Sequence, residues 1–198
     1  MQQVPQQQIG KSIDYSRELT LKDKYTAYQR YLIIVNNLMQ VNHWKDIARG
    51  ISAEFLIVNS QNEIQNRNIK KGDFIRINIP GPGLPSKAGY DWVEVTQMQV
   101  GLDGDNSKTV ITLQPSADPT SQHNDIAHFY KHFSSSNILI QLKGNKIILK
   151  YAGRNEVINK DSKHLLDNLR NIIIGIAAKV GASFPQWKAL IDGLYKKD

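Results

Sequence analysis

The stretch Asn137-Ile138-Leu139-Ile140-Gln141-Leu142, Lys143-Gly144-Asn145-Lys146, Ile147-Ile148-Leu149-Lys150-Tyr151 decides how this chain folds. Two aliphatic, β-branched runs flank Gly144-Asn145, a pair suited to a tight antiparallel turn. The reading is a β-hairpin, and the segments before it repeat the theme. Trp92–Met98 and Val110–Leu113 read as strands joined through the turn cluster Leu102-Asp103-Gly104-Asp105-Asn106. Phe74 is followed by alternating Ile75, Ile77 and Ile79, a half-buried strand that Pro80-Gly81-Pro82-Gly83 ends. Phe55–Val58 is a further short apolar run.

The two ends of the chain carry a different period. Thr20 is placed to cap a helix, with Asp23 at the capping-box position. Tyr25, Tyr28, Leu32, Val35 and Met39 then recur at spacings of three and four, one face of an amphipathic helix. Asn42 is positioned to cap a second short turn carrying Trp44, Ile47, Ala48 and Ile51. Near the other end, Leu165, Leu166, Leu169, Ile172, Ile173, Ile176 and Val180 form a wide stripe that Gly181 stops. Ser183-Phe184-Pro185-Gln186 spells a capping box, and Trp187, Leu190, Ile191 and Leu194 supply the face of a following helix.

The expected architecture is therefore α+β. It has a mostly antiparallel sheet or partly closed barrel of about six strands, helices at the N-terminus and a C-terminal helical hairpin. Residues 1–19, with Pro5 and Gln6 to Gln8, read as a flexible tail. Residues 20–198 read as one domain, with helices over 20–52, strands over 53–158 and the hairpin over 161–196.

Composition narrows the function classes. The chain has 198 residues, 40% of them hydrophobic and 22% charged, enough for a core and a solvated surface. It has no cysteine, which excludes disulfides, thiol catalysis and thiolate metal sites. The net charge of +7 invites acidic partners such as nucleic acid. However, residues 1–100 carry 12 basic and 9 acidic side chains, and residues 101–198 carry 13 and 9, so the surplus is spread evenly. Without a basic n-region, a long apolar run or cysteine, the expected location is the cytoplasm, with no membrane span.

Three constellations stand out. His123, His128 and His132, with Asp125, fall within ten residues. His128 and His132 would share one face of a helix, the geometry of half a metal site, and would support a metal-dependent hydrolase. Lys131 between them disfavours a cation. Gly153-Arg154-Asn155-Glu156 ends a predicted strand, on which Arg154 and Glu156 would share a face and bind a polar ligand or each other. The Pro- and Gly-rich loop from Pro80 to Asp91 leads into Tyr90, Asp91 and Trp92, candidate binding residues. No nucleophile elbow, phosphate-binding loop or calcium loop is complete, and no cofactor is called for.

Taken together, Gly72–Gly83, Tyr90-Asp91-Trp92-Val93, His128-Phe129, Gly153–Glu156 and Gln186-Trp187-Lys188 resemble a group of uncharacterised soluble proteins from Bacteroidetes-type bacteria. The resemblance covers most of the chain, transfers no catalytic residue, and implies a place near contractile, phage-tail-like secretion apparatus. The expected function is a non-enzymatic interaction or structural component of a multiprotein assembly, with a protein partner or self-association. A nucleic-acid-binding protein is the alternative, followed by the hydrolase.

Overall fold

The computed structural model describes residues 4–49, 53–78, 90–120, 133–157 and 183–196. Seven strands form one antiparallel sheet: β1 (Lys11–Thr20), β2 (Glu54–Val58), β3 (Phe74–Asn78), β4 (Asp91–Gly101), β5 (Lys108–Pro115), β6 (Ser135–Lys143) and β7 (Lys146–Glu156). Their spatial order is β1-β7-β6-β5-β4-β3-β2. Helix α1 (Lys24–Met39) follows β1, a 3-10 turn at Val41–His43 leads into the short α2 (Trp44–Ala48), and α3 (Ser183–Tyr195) closes the described chain.

The hairpin 137–151 forms as read, with Lys143 opposite Lys146 and Gly144 at φ 59 in the first loop position. That backbone conformation is one an L side chain rarely adopts, and it suits the twist of the flanking strands. The β4–β5 hairpin also forms, closed by a 3-10 turn at Gly104–Asn106. All six expected strands are present.

The seventh, β1, corrects the reading of residues 1–19 as a flexible tail. Lys11–Thr20 pairs with β7 along its length, from Lys11 opposite Glu156 to Thr20 opposite Lys146. Ile13, Tyr15 and Leu19 pack on the core, and they alternate with Asp14, Ser16 and Glu18 on the other face. Thr20 is thus the last residue of a strand and not a helix cap. Asp23 takes the cap position, its carboxylate accepting from the Thr26 amide at 2.7 Å.

Helix α1 is rotated relative to the expected face. It buries Ala27, Tyr31, Ile34, Val35, Leu38 and Met39; of the expected stripe, Val35 and Met39 are buried, Tyr28 and Leu32 are half-buried against the core, and only Tyr25 is left outside. Tyr31 decides the rotation. Fully buried, it donates to the Gly101 carbonyl at 3.0 Å and lies 2.8 Å from the Thr109 hydroxyl, so its polar end is satisfied inside the core. Asn42 caps nothing. Its carbonyl oxygen accepts from the Ile57 amide at 2.9 Å and ties the 3-10 turn to β2.

On α3 the expected face, Trp187, Leu190, Ile191 and Leu194, is buried. Gln186 does not close a capping box; its Oε1 accepts from the Ala53 amide at 2.5 Å. Arg30 of α1 covers the far end of α3, donating to the carbonyls of Leu194 and Lys196. These carbonyls lack intrahelical donors, and the guanidinium supplies both hydrogen bonds and opposite charge. The first helix of the expected C-terminal hairpin lies outside the described residues.

Candidate functional site

Arg154 and Glu156 do not share a face, contrary to the strand-based expectation. Asn155 between them sits at φ 54, which breaks the alternation. Arg154 lies on the face away from the helices, where its guanidinium donates to Asp14 on β1 at 2.9 Å. Lys150 reaches the same carboxylate oxygen at 2.8 Å. Partial burial pushes the Asp14 carboxyl up, but these two cations reverse that and hold it below the usual carboxylate range.

Glu156 turns to the opposite side and is buried, 8% exposed. The Tyr151 hydroxyl lies 3.4 Å from its carboxylate and 3.2 Å from the Ser136 hydroxyl. Gly153 leaves room for that carboxylate, which would overlap any Cβ at position 153. The Tyr151 ring stacks on Trp187 with centroids 5.5 Å apart and planes 12° from parallel. The stretch 153–156 therefore points its two charges into different environments.

Asn155 is the residue that sequence reasoning missed. Its side-chain oxygen accepts from the amides of Gln8 at 2.7 Å and Ile9 at 3.2 Å, and its amide nitrogen donates to the Gln6 carbonyl at 3.1 Å. Its backbone amide in turn donates to the Gln7 side chain at 2.9 Å. A glutamine-rich lead-in is thereby clasped against the end of β7. An asparagine at the end of a strand is the one available signal, because asparagine tolerates the left-handed region and carries both donor and acceptor.

The second group of candidates lies at the same end of the sheet, three strands away, roughly 14 Å at ordinary strand spacing. Asp91 opens β4. Trp92 is fully buried on the face away from the helices, opposite Arg76 of β3. Tyr90 is exposed, and the Arg76 guanidinium sits 4.4 Å from its ring centroid, a cation–π contact. The structure thus brings Tyr90, Asp91 and Trp92 together but keeps them apart from Arg154 and Glu156. Residues 80–89 of the loop lie outside the described residues, as do His123, His128 and His132. Among the described residues no group of three or more His, Asp or Glu side chains is placed to hold a metal ion.

A third cluster fastens α3 to β1. Asp192 accepts from the Tyr15 hydroxyl at 2.6 Å, Arg17 Nε at 2.7 Å and Lys188 Nζ at 2.6 Å. Burial pushes the Asp192 carboxyl up. The three hydrogen bonds and the Arg17 charge more than reverse this and bring it to about 2. Because the folded value lies below the unfolded one of about 3.9, this stabilisation is present above the unfolded value and is lost as pH falls to about 2. Asp192→Asn is expected to reduce stability at neutral pH by about 1 kcal/mol, less than the full shift implies because the partners are partly exposed. Denaturant titrations of both proteins from neutral pH downward check this: the difference should shrink toward pH 2.

What remains on the outside is the face of α1 that the sheet does not take. Tyr25, Gln29, Ile33 and Asn36 lie on its solvent side within about a third of a turn, with half-buried Leu32 beside them. Tyr25 is 75% exposed and Ile33 51%. None of these residues carries a charge. Among the described residues no helix is long and apolar enough to cross a membrane.

No protein-family model matches the chain, and no curated protein matches it. Solved structures similar to it include a truncated norcoclaurine synthase from Thalictrum flavum, at a TM-score of 0.43 and 10% identity over 98% of this chain and 100% of that one. The ginseng major latex-like protein 151 from Panax ginseng gives 0.40 and 13% identity over 86% and 98%. The Zhui aromatase/cyclase from Streptomyces sp. R1128 gives 0.40 and 8% identity over 93% of both chains. At these scores the similarity spans the chain length and carries no chemistry over to it.

Proposed function

We propose that this chain is a non-enzymatic interaction component of a bacterial multiprotein assembly, and that it holds a protein partner through the outward face of α1. The observation that carries this reading is the pair of opposed apolar faces on that helix. One face is used up by the sheet through Ala27, Tyr31, Ile34 and Leu38. The other presents Tyr25 and Ile33 to solvent with only amides between them. An ordinary surface helix carries charge on its outer face, and an uncharged one with an exposed aromatic and an exposed isoleucine suits burial against another protein. The resemblance to proteins near contractile secretion apparatus supports the same reading and suggests the kind of assembly.

Native co-purification of the tagged chain after nuclease treatment tests this. A stoichiometric protein partner is expected, and it should be lost at least tenfold in Tyr25→Glu and Ile33→Glu. Both variants should keep the wild-type melting temperature, because neither side chain is in the core. A partner that binds both variants as well as wild type, or no protein partner at all, would contradict the reading.

A further inference from the structure

We propose that the outer edge of β4 from Gln97 to Gly101 is a self-association site, where the same edge of a second copy adds as an antiparallel strand. β3 covers only the start of β4. Its last pair is Phe74 opposite Glu94, and the ladder ends where the Gly72 amide donates to the Val95 carbonyl and the Val95 amide to the Asp73 carbonyl, both at 2.9 Å. There the chain turns away through Gly72, at φ 86, and the turn is held by Asp73. Asp73 accepts from both terminal nitrogens of Arg67 and from the Lys70 amide. A bulge at Thr96 follows, after which Gln97–Gly101 runs in regular register against Thr112–Lys108 of β5. Among the described residues nothing pairs with the other side of this stretch.

The sheet has two further edges, and both are protected. β1 carries Lys11, Asp14, Arg17 and Glu18 within ten residues, the charged dressing that discourages edge-to-edge pairing. β2 has five residues, and the Ile57 amide and carbonyl are taken by Asn42 and by the Gln65 amide. The β4 edge has neither protection. Val95–Leu102 contains no charged residue and no proline. Val100 is 42% exposed and Leu102 57%.

The pattern of the edge selects its occupant. Only another strand supplies donors and acceptors at the period of an exposed edge. An uncharged stretch meets its own copy without repulsion. A two-fold axis perpendicular to the sheet through Gln99 sets Met98 opposite Val100 of the second copy on the helix-bearing face. It sets the Gln99 amides against each other on the opposite face. Apolar therefore meets apolar and amide meets amide. This surface is separate from the outward face of α1 and goes beyond the partner reading.

The absence of native cysteine makes the test direct. The full chain with Gln99→Cys is oxidised, and dimers are read on a non-reducing gel, with Ser12→Cys on the β1 edge as the control. Opposed side chains in this register lie within about 5.5 Å, inside disulfide reach. Gln99→Cys should cross-link at least tenfold faster than Ser12→Cys. Sedimentation equilibrium of the cysteine-free protein should show a monomer–dimer equilibrium that Val100→Lys and Gln97→Lys each weaken tenfold or more. These exposed positions leave the core intact, so an unchanged melt accompanies the weakening. A monomer at every concentration, equal cross-linking at both edges, or a dimer indifferent to both lysines would each overturn the proposal. Loss of the α1 partner in Ile33→Glu leaves this dimer unaffected, so the two readings fail separately.

Discussion

Gly193→Ala destabilises the protein by about 3 kcal/mol, at the upper end of what overpacking ordinarily costs. The sign is what makes this expectation informative. In an exposed helix interior the same change stabilises by roughly 1 kcal/mol, because alanine is the better helix former. Gly193 is in the last turn of α3, where that helix crosses α2. A Cβ added there would overlap the carbonyl oxygen of Ile47 and crowd its side chain. The clash is with backbone, so no rotamer change relieves it, and α3 must move off α2. That movement also pulls Leu194 from the core and its carbonyl from Arg30. Urea unfolding of the two proteins decides the matter, and a variant as stable as wild type would show that the two helices do not cross this closely.

Trp187→Ala is the second large effect, a loss of about 3–5 kcal/mol, the range for removing a buried tryptophan. Trp187 joins the helices to both ends of the sheet. It stacks on Tyr151 of β7, meets Trp44 of α2 at 6.1 Å and 73°, and meets Phe55 of β2 at 5.5 Å. Two of those neighbours, Trp44 and Phe55, also face each other at 5.3 Å, so the cavity is lined by rigid rings that collapse poorly into it. Trp187→Phe should recover more than half of the loss, because a smaller ring keeps part of the stack. Equal losses for the two variants, measured by the same urea titration, would mean that stacking on Tyr151 contributes nothing.

Both residues belong to the part of the fold that was legible in the sequence. The face of α3 was readable because its apolar residues have one spacing and no competing stripe. The central hairpins were readable because Gly144-Asn145 and the 102–106 cluster have strong turn chemistry. β1 was not readable for a physical reason. Its inward positions are Ile13, Tyr15, Arg17 and Leu19, and an arginine among them spoils the alternation. Arg17 is tolerated there because it lies near the Tyr15 ring of its own strand and meets Asp192 and the Tyr195 ring, two contacts supplied from the far end of the chain. The rotation of α1 failed for a related reason. The expected stripe and the buried one overlap at Val35 and Met39, and the turn of the helix toward Tyr31 is set by the Gly101 carbonyl and Thr109, about 70 residues away.

The candidate site was less legible than the fold. Local spacing singled out Arg154 and Glu156 at the end of a strand. It placed them on one face because period two was assumed to continue through Asn155. A single residue at φ 54 undoes that assumption, and one residue's backbone conformation is not written in periodicity. Trp92 was selected as an aromatic beside a loop, yet it is buried, so its substitution would report on stability before it reported on binding.

The measurement that tests the central claim most directly is site-specific photo-cross-linking in the native cell. A photoreactive amino acid replaces Ile33 on the outward face of α1, and in parallel Ser16 on the far face of β1. The account predicts one predominant cross-linked protein from position 33, absent from position 16, and identified by mass spectrometry as part of a larger assembly. No cross-link from position 33, or the same set of proteins from both positions, would contradict it.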